Sequence, residues 1–241
     1  MGSNCTRDCH FCAISHGPVK ILDKTEPMRL ANAAKQIGLK YVVITSVTRD
    51  DLKDGGSSHF AKAIKEIRKA IPEVRVEVLV PDFQGSLNSL ITVLNANPDV
   101  LNHNIETVES LYRIARPQAN YQQSLNLIRR AHAYDPLLPV KSGLMLGLGE
   151  KPEEVLKTLE DLLEAGCRIL TLGQYLQPSK RHLPVVEYIS PTEFDRWQEV
   201  ALRMGFLAVA SGPFVRSSYH ANQLLRTYNL NLRRNNGKNA V

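Results

Sequence analysis

Long apolar runs are missing from this sequence. No stretch approaches the roughly 20 consecutive apolar residues that a membrane span requires, so no membrane association is expected. The first residues, Met1-Gly2-Ser3-Asn4-Cys5, show neither a basic region backed by an apolar stretch nor an Arg/Ser-rich amphipathic leader. No targeting segment is expected, and the expected compartment is the cytoplasm. Cysteine is scarce, four among 241 residues. Compositional extremes are lacking too: hydrophobic residues make up 43% and charged residues 22%, ordinary values that exclude wholesale disorder, a collagen repeat and a disulfide scaffold. A chain of this length can bury one substantial core, and a single domain is expected.

Lys and Arg outnumber Asp and Glu by 30 to 24, a formal net charge of +6 with an isoelectric point near 9.2. The excess is spread along the chain and is densest over 226–238, an Asn/Arg-rich segment with little to bury. The expectation is a folded domain over 1–225 and a polar, basic, mobile tail over 226–241, with no nucleic-acid partner.

What the sequence does contain is a concentration of thiols. Cys5, Cys9 and Cys12 fall within eight residues, while Cys167 stands far off after Gly166, where a small buried thiol is expected. In a cytosolic chain such a cluster favours metal over disulfide. A C-x3-C-x2-C loop is one thiolate short of a closed tetrahedral set, and spacing alone leaves two completions open. Zinc would take His10 or His16 as fourth ligand; a [4Fe–4S] cluster would use three thiolates and leave one iron free for another ligand.

Periodicity places helices at 27–37, 58–70, 87–95, 121–134, 151–165 and 191–204. Short β-branched runs at 40–45, 74–80, 100–105, 140–146, 168–172 and 207–210 read as buried strands. Strict strand–helix alternation implies parallel strands with right-handed crossovers, in a barrel or a doubly wound sheet. The barrel is favoured because the segment after nearly every strand is polar: 46–51, 81–85, 102–106, 147–150, 173–179 and 211–213. In parallel barrels the site is built from the loops at the carboxyl ends of the strands, where all six would meet.

The cysteine loop at the head of an α/β chain, with Phe11 just before the last cysteine, resembles the radical S-adenosylmethionine superfamily. Within it the chain is similar to the lipoyl synthase family over most of its length. The matching segments are CTRDCHFCAISHG (5–17), YVVITSVTRDDLKDGG (41–56), VLVPDFQG (78–85), NHNIETV (102–108), KSGLMLGLGE (141–150), LTLGQYLQPS (170–179), HLPV (182–185) and SGPFVRSSYHA (211–221). The resemblance implies a partial (β/α) TIM-like barrel, first strand largely missing because the chain is N-terminally truncated relative to the family. It implies a radical enzyme that inserts sulfur at C6 and C8 of a protein-bound octanoyl-lysine. The partners implied are an octanoylated lipoyl carrier domain or glycine-cleavage H protein, and an electron donor such as ferredoxin or flavodoxin. A different radical S-adenosylmethionine sulfur inserter, or a non-catalytic cluster or carrier-domain binder, is the alternative.

By the same resemblance Cys5, Cys9 and Cys12 hold a [4Fe–4S] cluster whose open iron binds S-adenosylmethionine. Thr48, Arg49, Asp50 and Asp51 follow the strand that contacts the methionine ammonium, with Asp50 or Asp51 the expected carboxylate. Asn104 and Glu106 are expected near the ribose or methionyl group, with Lys141, Gln174 and Tyr175 facing the same mouth; His103 and His220 are expected to be structural. Ser218, in Arg216-Ser217-Ser218-Tyr219, is the implied oxygen ligand of a second, sulfur-donating cluster. The three cysteines the family uses beside it, in a C-x4-C-x5-C motif, are not in this sequence.

Overall fold

The helices that start at 26, 87, 121, 152 and 191 have a proline in the first turn or a short polar cap, and the first strands of the large sheet are short runs rich in β-branched residues. A computed structural model describes the backbone of residues 1–238 and the side chains of residues 1–234. The order is β1 (Asn4–Cys5), β2 (Ser15–His16), α1 (Glu26–Ile37), β3 (Tyr41–Thr45), α2 (Ser57–Ala70), β4 (Arg75–Leu79), α3 (Leu87–Leu94), β5 (Val100–Asn102), α4 (Tyr112–Ala115) and α5 (Tyr121–Tyr134). It continues with β6 (Val140–Leu146), α6 (Pro152–Glu164), β7 (Ile169–Gln174), α7 (Pro191–Met204), β8 (Ala208–Gly212) and α8 (Ala221–Lys238). Ser86, Asn120 and Ser190 cap α3, α5 and α7 by accepting the backbone N–H three residues on. Pro152 opens α6, and the Glu154 carboxylate accepts the Lys151 N–H at 2.8 Å.

Six strands form one parallel sheet in the order β3-β4-β5-β6-β7-β8, so every strand lies beside its neighbour in sequence. A doubly wound sheet reverses its order at a switch point; an unbroken succession is the order of a barrel. Among the described residues β3 and β8 are the two edges, so the barrel is partial. The core runs between the sheet and the outer helices, from Phe60, Ile64 and Val76 through Leu101, Ile105 and Ile128 to Leu159, Leu170 and Phe194, all nearly inaccessible to solvent.

The expected tail is the main correction to the sequence reading. The boundary at 225/226 falls inside α8, which continues past it as helix. Leu224, Leu225 and Tyr228 are buried against Val100, Ile169 and Ala208, at the amino ends of three strands, and Asn231 Nδ2 donates to the Leu207 carbonyl at 2.9 Å. Leu224, Leu225, Tyr228 and Leu232 recur at helical spacing and make a narrow apolar face that the Asn/Arg-rich composition masks. Residues 239–241 of the expected tail lie outside the described residues. The helix closes the amino end of the half-barrel, which leaves the carboxyl end as its open mouth.

Candidate functional site

The cysteine loop lies over that mouth, and an arginine fixes it there. β1 and β2 bracket the loop and pair in parallel, Asn4 with Ser15 and Cys5 with His16. Between the first two thiols Arg7 is buried and reaches two strand-end loops at once. Its Nε and Nη2 donate to Asp50 at 2.6 and 3.0 Å, and its Nη2 and Nη1 to Asp82 at 2.6 and 2.8 Å. The Arg7 guanidinium holds the Asp82 carboxyl well below the usual carboxylate range against the opposing effect of burial. Backbone bonds complete the fixation: Thr6 N–H to the Thr48 carbonyl at 3.1 Å, His10 N–H to Ala115 at 2.9 Å, and Leu183 N–H to the His10 carbonyl at 3.0 Å. His182 Nε2 lies 3.1 Å from the Cys12 carbonyl oxygen.

Behind the loop is a cavity of about 500 Å³ lined by all three thiols, by Phe11 and Thr48, and by His103, Asn104, Glu106 and Arg116. Cys5, Cys9 and Cys12 are free and half-buried. Burial pushes the Cys9 thiol up, opposed by Arg116, and pushes the Cys12 thiol up, with Cys5 adding to it. The Cys9 and Cys12 thiols, held protonated by burial, are poised to release protons to a cationic centre rather than to ionise alone. Glu106 has a left-handed backbone (φ 69°), and burial raises its carboxyl pKa while Arg116 and Asn104 oppose the shift. Arg116 stacks over the Tyr112 ring at 5.2 Å and donates from Nη1 to the Tyr112 hydroxyl at 3.0 Å. His103 donates from Nδ1 to the Val80 carbonyl at 2.8 Å, and burial lowers its pKa to about 4.

Two buried nitrogens on this wall, His103 Nε2 and Arg116 Nε, have no hydrogen-bond partner. Unmet buried polar atoms aimed into a cavity are what a polar ligand would satisfy. Three thiols plus these groups therefore fit a thiolate-held cluster with a zwitterionic, hydroxyl-bearing ligand beside it. A mononuclear zinc site is less well served. Among the described residues no three His, Cys, Asp or Glu side chains converge on one ion; His16 pairs with Asp8 at 3.1 Å, and His10 is exposed.

The other residues singled out from sequence divide between this cavity and elsewhere. Thr48, Asn104 and Glu106 line it. Asp50 does not, because both its oxygens are taken by Arg7, and Asp51 does not, because it pairs with Arg49 at 2.8 Å. Lys141 is buried inside the half-barrel on Glu77 at 2.8 Å. Gln174 is buried and holds the segment before α7, accepting the Ile189 N–H at 2.9 Å and donating to the Glu187 carbonyl at 3.0 Å. Tyr175 donates its hydroxyl to the Leu183 carbonyl at 2.7 Å. Ser218 is exposed on the turn before α8. Cys167 is wholly buried, with its thiol pushed up to about 12, so it offers no ligand near Ser218. Arg7, Asp82 and Arg116 were not singled out in the sequence; only the adjacency of Arg7 to two cysteines offered a signal for any of them.

Comparison with known proteins agrees with this geometry. The Radical SAM superfamily model matches residues 1–162. In fold the chain is similar to HydG, a maturase of the [FeFe]-hydrogenase, with a TM-score of 0.70 at 16% identity over 94% of this chain and 53% of that one. The chain belongs to the radical S-adenosylmethionine superfamily. It is 54% identical over 221 residues to a lipoyl synthase of Caldanaerobacter subterraneus subsp. tengcongensis, covering 92% of this chain and 78% of that one. It is 56% identical over 226 residues to a lipoyl synthase of Desulfotalea psychrophila, covering 94% of this chain and 76% of that one. Within the superfamily, then, it is a member of the lipoyl synthase family of sulfurtransferases. Among the described residues no helix is long and apolar enough to cross a membrane.

Proposed function

We propose that this chain carries out the radical step of lipoyl formation on an octanoyl-lysine of a lipoyl carrier domain or glycine-cleavage H protein, with sulfur insertion at C6 and C8 as the overall reaction. The observation that carries the reading is the three-thiol loop fixed by Arg7 over a cavity walled by unpartnered His103 Nε2 and Arg116 Nε. Cys5, Cys9 and Cys12 would hold the [4Fe–4S] cluster. When bound, the cluster and S-adenosylmethionine supply a 5′-deoxyadenosyl radical able to take hydrogen from an unactivated C–H bond, which no side chain acting as acid or base can do.

The chain's own residues orient and exclude. Arg7 keeps the thiol loop seated between the loops after β3 and β4, so that the three thiols are pre-positioned. Glu106 offers its carboxylate, and Asn104 its carbonyl oxygen, to an ammonium or ribose hydroxyl; Arg116 Nε offers a donor to a carboxylate, and neutral His103, whose Nδ1–H goes to Val80, offers Nε2 as an acceptor to a hydroxyl. Asp50 contributes through Arg7 rather than by touching the ligand, while Asp51 and Gln174 brace loops. A ferredoxin or flavodoxin would supply the electron, and the cytoplasm is the fitting compartment. The residues present do not fit a second cluster: Ser218 has no thiols beside it, with three of the four cysteines in the first loop and Cys167 buried.

Iron and sulfide per chain after anaerobic reconstitution test the reading. About four of each is expected, together with 5′-deoxyadenosine on reduction. One zinc and no iron would discard it. Cys9→Ala should abolish 5′-deoxyadenosine formation, and unchanged formation would equally overturn the assignment of the loop.

A further inference from the structure

The buried ion pair inside the half-barrel has no part in the cavity. Lys141 and Glu77 are each about 1% exposed, with Lys141 Nζ 2.8 Å from Glu77 Oε1. The other carboxylate oxygen accepts the Tyr41 hydroxyl at 2.7 Å, and Asn102 Nδ2 lies 3.3 Å from Oε1. As a stabilising device this is poor value, since the desolvation of two charges cancels most of their attraction and well-packed apolar residues would serve as well. What an apolar pair could not do is make the second bond of the ammonium, to the Ser217 carbonyl at 2.5 Å.

Ser217 is held at its other end as well. Asn104 Nδ2 donates to its hydroxyl oxygen at 2.7 Å, and that hydroxyl lies 3.1 Å from Asn104 Oδ1. The approach is close because residue 143 is glycine: a Cβ there would stand 2.9 Å from Asn104 Oδ1. Asn104 in turn donates to Glu106 Oε1 at 3.1 Å, on the cavity wall. The turn also lies against Gly173, where a side chain would collide with the Val215 carbonyl. The neighbouring residues face outward, with Phe214 80% exposed and Ser218 exposed.

We propose that Lys141, Asn104 and Ser217 are positioning residues that seat the Ser218-bearing turn in the barrel mouth, next to the thiol cavity. Glu77 keeps Lys141 Nζ aimed, and Ser217 is the point of attachment. The two serines divide the work: Ser217 anchors inward and Ser218 is presented outward. The seating of the turn is a matter of geometry: it does not depend on a second cluster, and its test requires none.

The test is hydrogen–deuterium exchange of the full chain, comparing peptides over 213–221 with sheet peptides over 140–146 and 169–174. The neutral double variant Lys141→Met/Glu77→Gln, which leaves no lone buried charge, and Ser217→Ala should each speed exchange in the turn by about tenfold, the effect of losing one buried hydrogen bond. Sheet peptides should not change, and Ser217→Thr, which keeps the hydroxyl, should stay within about twofold of the parent. Unchanged exchange in the turn, equal acceleration in turn and sheet, or a Ser217→Thr effect as large as that of Ser217→Ala would each overturn the proposal.

Discussion

The cysteine loop and the serine turn meet at the same mouth but are attached by different means. The cysteine loop is tied on three sides: by charge-assisted bonds from Arg7 to Asp50 and Asp82, and by backbone bonds to residues 48, 115 and 183. The serine turn is bonded to the barrel interior by Lys141 and Asn104 at Ser217 and packs at buried Val215 against Gly173, with exposed side chains on either side of Ser217. A loop that presents three ligands to one inorganic group needs its geometry fixed before the group arrives. A turn that presents a single exposed hydroxyl needs only an anchor, and the asymmetry of the attachments matches that difference in task.

The comparison breaks most sharply at Arg7. Arg7→Met leaves the buried Asp82 carboxylate without a counter-ion, with the Gln84 N–H as its remaining bond, and losing the partner of a buried charge costs about 3–5 kcal/mol. Urea unfolding of the apo-protein should show that loss, and iron incorporation should fall with it. A loss below about 1 kcal/mol would mean that the backbone bonds alone hold the loop. Arg7→Lys should recover only part of the stability, because one ammonium cannot fork to two carboxylates.

A second contrast is in acid. His103 sits on the cysteine side of the mouth, facing Arg116, Asp82 and Arg7, and its folded pKa of about 4 is below the ordinary 6.5. The unfolded chain takes up this proton first as pH falls, so the stability tied to neutral His103 is complete above about pH 6.5 and lost as pH falls toward about 4. The loss is on the order of 3 kcal/mol across that window, measurable as a fall in urea midpoint. His103→Gln should flatten the profile between these limits. A parent profile already flat there would show that His103 charges freely in the folded state. Asp82, held low by Arg7, acts further down: its contribution is complete above the ordinary aspartate range and is lost below about pH 4.

Most of the barrel was legible because its elements are strongly patterned. The helices Tyr121–Tyr134 and Pro191–Met204 and the strand Val140–Leu146 match the sequence reading at both ends. α8 was not legible, because its apolar face is four residues wide in a polar segment and becomes a face only against strand ends contributed from elsewhere in the chain. The thiol set was legible from spacing. The carboxylates were misplaced because sequence shows which residues follow a strand and not which of them an arginine has already claimed. Arg7 lies 43 residues from Asp50 and 75 from Asp82, so no local pattern connects them. Arg116 was missed for the same reason: it reaches the cavity only because α4 and the loop after it fold back over His10.

The smallest effect expected is at Asp51, and it separates two neighbours that sequence treats alike. Asp51 pairs with Arg49 and its carboxylate is about a third exposed, so solvent screens the pair and its contribution is below about 1 kcal/mol. Asp50 pairs with Arg7, which is buried, and removing its charge leaves Arg7 with Asp82 alone. Asp51→Asn should therefore leave the urea midpoint and the reactivity of the three loop thiols toward a disulfide reagent nearly unchanged, whereas Asp50→Asn should make those thiols react faster as the loop loosens. Equal effects from the two variants would mean that the loop after β3 acts on the thiols as a unit, and that the Arg7 link is no more important than the backbone bond from Thr6 to Thr48.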